Sequence, residues 1–334
     1  MPEQLTLILL VVLGLAVLFD YINGFHDTAN AIATSVSTRA LKPEHAILMS
    51  ATANFVGALT GTAVAKTIAS GLATTPDGPA GQVIVAAALV GAIFWNLLTW
   101  RLGIPSSSSH ALIGGLLGAV VISVGFDAIL LEGVRDKVLV PLVLSPIAGI
   151  TIGFLLMVVL LNVFRNAHPR RMNDRFRRLQ VLSAGYMAFS HGSNDAQKTM
   201  GIMTLALLTA GVIETDDVPL WVILVAATAI SLGTAAGGWR IIKTMGQKVV
   251  KLDPVHGFAA ETTAATIIFV ASHLGAPVST THVISSAIMG VGSSDRLSAV
   301  RWGVAGNIIT AWILTIPASG LVAALSYLVL DLFL

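Results

Sequence analysis

Two kinds of polar segment each occur twice in this chain, at nearly the same separation. The first kind, called here the Asp segments, reads NGFHDTAN at 23–30 and HGSNDAQK at 191–198, an offset of 168 residues. The second kind, the Pro segments, reads GIPSSSSH at 103–110 and GAPVSTTH at 275–282, an offset of 172 residues. The chain therefore consists of two similar halves, and we expect each segment to interrupt a helix.

The composition places these segments in a lipid bilayer. Hydrophobic residues make up 55% of the chain and charged residues 11%, whereas a soluble domain has about 25% charged residues. A membrane-spanning helix needs about 20 mostly apolar residues. We predict an all-α polytopic membrane protein with broken or re-entrant helices at its centre. Its ten spans are predicted at 5–22, 45–69, 82–102, 108–126, 138–164, 179–213, 219–237, 256–274, 280–292 and 302–332.

Two of these predicted spans are irregular, and the first is expected to stay in the mature chain. The span at 179–213 should break at its Asp segment, and 280–292 is short enough to be half of a re-entrant hairpin. The residues before the first span lack the basic region of a signal peptide. The chain has no cysteine, which excludes disulfides and thiolate metal sites.

Five spans per half is an odd number, so the half at 179–334 should enter the membrane upside down relative to the half at 1–164. Lysine and arginine test this arrangement, because short cytoplasmic loops are enriched in them. With both termini outside, 15 of the 19 basic residues lie on the cytoplasmic side and 3 lie outside, while Lys198 lies within an Asp segment. We predict inverted repeats in the cell membrane. Their Arg-rich cytoplasmic linker, 165–178, is not expected to bind nucleic acid.

The Pro segments have the composition of an anion site. A Ser/Thr run after a proline starts a new helix, whose free N–H groups and hydroxyls favour an anion at the positive end of the helix dipole. The alternative is that these residues only cap two helices, but the matched proline and histidine in both copies favour binding. The predicted anion ligands are Ser107, Ser108, Ser109, Ser279, Thr280 and Thr281. For His110 and His282 we expect a hydrogen bond that orients the helix.

The Asp segments have the composition of a cation or proton site. An ionisable side chain within a membrane is costly and functional by default, and carboxylate and amide oxygens suit a hard cation such as Na⁺. The alternative for Asp27 and Asp195 is a structural role, as an ion pair with Lys198 or as a helix cap. The candidates for coupling are Asp27, Asn30, Asn23, Asp195, Asn194, His191, Glu261 and Asn54, of which Asp27, Asn30, Asp195 and Asn194 could hold Na⁺.

These features favour a secondary anion transporter over two other classes. An intramembrane Ser/His hydrolase is disfavoured because no Gly-x-Ser-x-Gly sequence is present. A passive channel is disfavoured because inverted repeats with broken helices are a transporter architecture. We therefore expect no enzymatic activity and no resident cofactor, only a co-transported H⁺ or Na⁺.

The four segments, with LGTAAGGWRIIKTMG at 232–246, resemble those of the PiT-type inorganic phosphate transporters in their short bacterial form. The resemblance covers nearly the whole chain. It implies symport of inorganic phosphate with Na⁺ or H⁺, commonly as a homodimer. It assigns the acidic coupling positions to Asp27, Asp195 and Glu261, a histidine to His191, and the Ser/Thr positions to Ser107, Ser108, Ser279 and Thr280.

Two positions depart from the family pattern. Some members have a second glutamate where this chain has Asn54, and others have asparagine where it has Lys198. These departures leave open the coupling ion and whether phosphate travels as a metal complex. Lys198 would repel a neighbouring Na⁺, which slightly favours H⁺. Because some relatives are similar to sulfate permeases, sulfate or another tetrahedral oxyanion is the alternative substrate.

Overall fold

The computed structural model describes residues 3–333, and helices make up most of this range. The α-helices are α1 (Glu3–Ser37), α2 (Pro43–Ala58), α3 (Ala63–Ser70), α4 (Pro79–Leu102), α5 (Ser108–Ser123), α6 (Leu131–Val134), α7 (Val140–Val163), α8 (Pro169–Thr209), α9 (Leu220–Ala236), α10 (Trp239–Lys243), α11 (Pro254–His273), α12 (Thr280–Asp295) and α13 (Trp302–Leu330). A π-helical turn, Arg135–Leu139, joins α6 to α7, and another, Thr244–Lys248, follows α10. The all-α fold class is therefore as predicted.

The helices divide into long apolar ones and shorter or bent ones. Within the described residues, α1, α4, the continuous α6–α7 segment, α11 and α13 are long and apolar enough to cross a membrane. The predicted span at 45–69 is instead two helices, α2 and α3, which meet at an angle of 69°. Helices α5 and α12 have 16 residues each, or about 24 Å, less than the roughly 30 Å of a bilayer's hydrocarbon core.

The prediction that the Asp segments break their helices is wrong. Helix α1 runs without interruption through 23–30, and α8 through 191–198. The glycines serve close helix packing instead. A Cβ at Gly24 would lie 2.9 Å from the backbone nitrogen of Thr234 in α9, and Gly192 lies against the backbone of Asn54 in α2. Because α1 and α8 are continuous, their backbone N–H and C=O groups bond within the helix, and no unpaired backbone lies at membrane depth in these segments.

Most of the predicted linker is also helical. Helix α8 begins at Pro169, so ten of the residues at 165–178 belong to it. Proline is favourable at the first position of a helix because its missing N–H has no helical partner there. Arginine, which accounts for six of the residues at 165–178, has high helix propensity. The connection between the halves is therefore a short turn followed by the polar N-terminal part of α8.

The buried apolar residues form two large clusters, and the Asp segments lie where they meet. Phe19 of α1 and Ala196 of α8 belong to one cluster, while Ala29 of α1 and Ala188 of α8 belong to the other. Helices α1 and α8 are the two that enter both clusters and also carry an Asp segment. Helix α1 runs from the cluster of Phe19 into the cluster of Ala29, whereas α8 runs in the reverse order, from Ala188 to Ala196. Inverted repeats predict this opposite order.

Each Pro segment forms the turn of a helical hairpin, α4–α5 or α11–α12. Gly103 and Gly275 end the first helix of each hairpin with φ values of +68° and +67°, a left-handed conformation that glycine adopts without strain. Each turn is held by the other half of the chain. The hydroxyl of Thr244 donates to the Gly103 carbonyl at 2.9 Å, and the hydroxyl of Thr67 donates to the Gly275 carbonyl at 2.7 Å. We call these two bonds the threonine clasps.

Candidate functional site

The two Pro segments meet at the centre of the protein. The hydroxyl of Ser109, in the first turn of α5, donates to the Val278 carbonyl at 3.2 Å. The rings of His110 and His282 pack edge to face, with their centroids 4.8 Å apart. His282 also stacks on Trp312 at 4.0 Å. The expected orienting hydrogen bonds of the two histidines do not occur within the described residues. Ring packing positions these histidines instead, because they face each other and Trp312.

The expectation that each Ser/Thr run starts a helix is confirmed. Ser107 caps α5 by accepting from the backbone N–H of His110, and Ser279 caps α12 by accepting from the N–H of His282, each at 3.2 Å. The capping alternative is thus realised for these two residues. Capping uses an oxygen lone pair and leaves the hydroxyl hydrogen free to donate, so it does not compete with anion binding.

The other Ser/Thr candidates divide into free and engaged hydroxyls. The hydroxyl of Ser108 has no hydrogen-bond partner within residues 3–333, although Ser108 is only 1% exposed. Thr280 donates to Asp195 Oδ2 at 3.2 Å. Thr281 accepts from Asn30 Nδ2 at 2.8 Å. Ser108 is therefore available for a ligand, while the threonines connect the Pro segments to the Asp segments.

The two Asp segments converge as well. One ligand atom each from Asp27, His191 and Asp195 lies within 4.8 Å of the others, and all three side chains are buried. The sequence brings these groups together because α1 and α8 pack against each other at the junction of the two apolar clusters. Two carboxylates and an imidazole at this separation can hold a cation or share a proton.

Each aspartate has a nitrogen partner of its own. His26 Nδ1 lies 2.6 Å from Asp27 Oδ1, and the other ring nitrogen of His26 lies 3.1 Å from Thr99 Oγ1. Asp195 forms an ion pair with Lys198 and lies 3.1 Å from His191 Nε2. The structural alternative for Asp195, pairing with Lys198, is therefore present. It gives the α8 segment a fixed cation of its own.

Three asparagines of the Asp segments differ in how they are used. Asn30 donates to Thr280 and Thr281, at 3.2 and 2.8 Å. Asn194 donates to Ser272 Oγ at 2.9 Å, while its carbonyl oxygen has no partner among the described residues. Both polar side-chain atoms of Asn23 are buried without a partner in the same range. Asn30 thus ties the anion candidates to the cation candidates.

Asn54 and Glu261, the two remaining candidates, have different surroundings. Asn54 joins the site: its Oδ1 lies 3.2 Å from His191 Nδ1, and its Nδ2 donates to Thr234 Oγ1 at 2.8 Å. Glu261 forms a separate polar cluster, in which it accepts hydrogen bonds from Thr34 at 2.6 Å, Gln180 at 3.1 Å and Ser183. None of the hydrogen bonds described for residues 3–333 connects Glu261 directly to Asp27 or Asp195.

Sequence reasoning missed several buried polar residues in and around this site. Asp20 and Thr199 are completely buried next to the Asp segments, and Thr99 and Thr234 support His26 and Asn54. Asp20 could have been found, because an acidic residue inside a predicted span is unusual. The threonines carry no such signal, since hydroxyls are common in membrane helices.

Comparison with known proteins gives consistent results. A model of the phosphate transporter family matches residues 23–323. A probable low-affinity inorganic phosphate transporter of Bacillus subtilis (strain 168) is 49% identical over 326 residues, 97% of each chain. A protein of Rhizobium meliloti (strain 1021) with the same description is 47% identical over 97% of each chain. A solved structure of a sodium-dependent phosphate transporter superposes with a TM-score of 0.90 at 27% identity, covering 98% of this chain and 100% of that one.

Proposed function

Because this chain belongs to the phosphate transporter family, we propose that it is a secondary symporter, which carries inorganic phosphate through the cell membrane together with H⁺ or Na⁺. The observation that supports symport most directly is the chain of hydrogen bonds from Asn30 through Thr280 to Asp195. It joins the candidate anion ligands to the candidate cation ligands. Occupation of one set therefore changes the hydrogen bonds that the other set can make.

The Pro segments supply the groups that phosphate needs. The N-termini of α5 and α12 meet at the centre, and both capping serines keep a hydroxyl hydrogen to donate. The free hydroxyl of Ser108 adds a third donor. Two helix N-termini around one anion place the positive ends of both helix dipoles next to its charge. Within this proposal, Ser107, Ser108 and Ser279 donate to the phosphate oxygens, and Thr280 joins them when its hydroxyl leaves Asp195.

The Asp segments supply the groups that a driving cation needs. Phosphate carries one to two negative charges near neutral pH, since the relevant pKa is close to the value of about 6 for a phosphomonoester. Each charge that enters against a negative-inside potential costs about 2.3 kcal/mol per 100 mV. Accumulation therefore requires a cation. Asp27 and Asp195, with Asn30 and Asn194 next to them, are the proposed ligands for Na⁺ or carriers of H⁺.

The burial of these groups fits a transport cycle with alternating access. Ser108, Asp27 and Asp195 are at most 2% exposed, so water reaches the site only after helices move. The two apolar clusters meet at the Asp segments, and motion of one cluster relative to the other would open the site. Transporters of the inverted-repeat type work in this way around a site near the bilayer midplane.

Uptake by purified protein in proteoliposomes tests this proposal. Labelled phosphate should accumulate under a pure Na⁺ gradient or a pure H⁺ gradient, and the gradient that works identifies the ion. Parallel samples with labelled sulfate test the alternative substrate, and samples with and without Mg²⁺ test a metal complex. Wild-type protein that accumulates no phosphate under either gradient would contradict the proposal.

Asp27→Asn is the decisive variant in the same assay. It keeps the side-chain shape and one oxygen but removes the charge, so accumulation should collapse while phosphate exchange between equal concentrations persists. Asp127→Asn, a change at an exposed aspartate between α5 and α6, is the matched control and should behave like the wild type. Full accumulation by both Asp27→Asn and Asp195→Asn would show that neither residue couples transport.

A further inference from the structure

Asp20 is a carboxylate that the site described above does not use. It lies on α1, seven residues or about two turns before Asp27, so both face the same side of the helix. Asp20 is 0% exposed, and neither of its oxygens has a hydrogen-bond partner within residues 3–333. Its polar neighbours are Asn23 on the next turn and Thr199 of α8. The polar atoms of both neighbours are likewise buried and without partners in that range.

An ionised carboxylate cannot remain in such a place alone. Burying a single charge without a partner costs several kcal/mol even after the protein relaxes. Helix donors do not compensate, because Asp20 lies in the interior of α1, where the backbone N–H groups bond to the helix itself. A positive ion must therefore accompany Asp20 whenever it is charged.

The charged groups around Asp20 do not provide that ion. Asp195 and Lys198 are the charged residues of α8 that act on Asp20, and Lys198 is already paired with Asp195. The two neighbouring helices offer no alternative. Helix α9 carries no charged residue, and the only one in α4 is Arg101, in its last turn. When Asp20 is ionised, Asp20, Asp195 and Lys198 together are thus short of one positive charge.

We infer that Asp20, Asn23 and Thr199 form a second cation position, next to the group around Asp27 and Asp195, which holds a transported monovalent cation. A carboxylate, an amide carbonyl and a hydroxyl provide oxygen ligands of the kind that a hard cation prefers, and the same carboxylate can bind H⁺. This inference rests on the proposed symport. It adds a further coupled cation and assigns it to α1.

The first test measures how many charges travel with phosphate. Full-length wild-type and Asp20→Asn proteins are reconstituted in proteoliposomes, and phosphate accumulation is followed to its limit at an imposed potential. Loss of one coupled cation should lower the limiting ratio by about 50-fold at about 100 mV, the factor that one elementary charge supplies. Phosphate exchange between equal concentrations should persist. An unchanged limiting ratio in Asp20→Asn would overturn the inference.

The second test measures cation binding without phosphate and without transport. Radioactive Na⁺ binding and proton uptake after a pH step are measured on purified protein in detergent. Asp20→Asn should bind one Na⁺ fewer per chain, or take up one proton fewer, and the affected ion is the one that Asp20 holds. Equal binding of both ions by the two proteins would contradict the assignment. Because this assay needs no transport, it still tests Asp20 if the proposed symport itself fails.

Thr199→Val keeps the inference testable if Asp20→Asn does not fold. This substitution keeps the carboxylate and the shape of the side chain but removes a ligand oxygen. Cation affinity should fall roughly tenfold, the usual effect of one hydrogen bond or ligand to a charged group. The matched control is Thr204→Val, which changes a buried threonine of the same helix that bonds to its own backbone, and it should bind cations like the wild type.

Discussion

The two Asp segments occupy equivalent places in the two halves but neutralise their charge differently. In α8, Asp195 has Lys198 three residues after it and His191 four residues before it, so its partners belong to the same helix. In α1, Asp27 pairs with the adjacent His26 and lies within 4.8 Å of His191, and Asp20 has no hydrogen-bond partner among the described residues. The α8 segment therefore carries a fixed cation in Lys198. Under the proposed symport, the α1 segment takes its cation from solution, and the driving ion binds at α1.

Removal of the fixed cation should have the largest effect. Lys198→Gln leaves Asp195 as a buried carboxylate without its ammonium partner. Loss of one member of a buried ion pair typically costs about 3–5 kcal/mol of folding stability. Thermal unfolding of the purified protein in detergent measures this cost as a large fall in Tm.

A double variant separates charge from packing at this position. Asp195→Asn combined with Lys198→Gln removes both charges and should recover most of the lost stability, because a neutral pair needs no compensation. If Lys198→Gln melts at the wild-type temperature, the α8 segment does not depend on its fixed cation. The proposed contrast between the two segments would then be wrong.

Substitution of the free serine should have the next largest effect. Ser108→Ala removes a buried donor that has no partner in the described part of the chain. If it binds phosphate, affinity should fall by about 1.5–3 kcal/mol, or roughly 10- to 150-fold. Equilibrium binding of labelled phosphate to the purified protein measures the change. The control is Ser123→Ala at the other end of α5, where the hydroxyl bonds to the helix backbone, and its binding should match the wild type.

Glycine substitutions compare helix packing at the two segments. An added methyl group at Gly24 or Gly192 would meet the backbone of a neighbouring helix, so Ala at either position should cost about 1–3 kcal/mol of stability. Gly14→Ala, also in α1, meets no atom within 4 Å and should be neutral or stabilising by up to about 1 kcal/mol. Equal Tm values for the three variants would refute close packing as the role of Gly24 and Gly192.

These glycines also show where sequence reasoning failed. Gly24 and Gly192 together with several polar residues resemble a helix break, because glycine is unfavourable inside an isolated helix. In the folded protein the missing side chain lets another helix approach, and contacts with that helix outweigh the intrinsic preference. Sequence alone does not identify which helix will approach, so it cannot separate a break from a close contact.

Other parts of the site were predictable. The turns at Gly103 and Gly275 and the helix starts at Ser108 and Thr280 agree with the sequence prediction, because they depend on local chemistry of proline, glycine and capping serine. Asp27 and Asp195 have matching positions in the two Asp segments, and this match indicates that they belong to one site. Contacts such as Thr34 with Glu261 could not be predicted, since they join residues 227 positions apart and depend on helix rotation.

The variants that test membrane orientation are expected to change the stability of the protein least. Asn173→Cys, in the first turns of α8, should leave Tm unchanged. If the halves are inverted with both termini outside, an impermeant thiol reagent should label this cysteine only after the cells are permeabilised. Asp127→Cys should be labelled in intact cells, because the same topology places it outside. Ready labelling of Asn173→Cys from outside would exclude this orientation.

The threonine clasps carry a consequence for the origin of the fold. Thr67 in the first half holds the hairpin turn of the second, and Thr244 in the second half holds the turn of the first. Such reciprocal contacts are the mark of a two-fold symmetric interface, in which each subunit gives its partner the contact that it receives. A dimer of half-length chains joined into one polypeptide would have this arrangement. Duplication and fusion of an ancestral gene, whose product inserted in both orientations, would produce it.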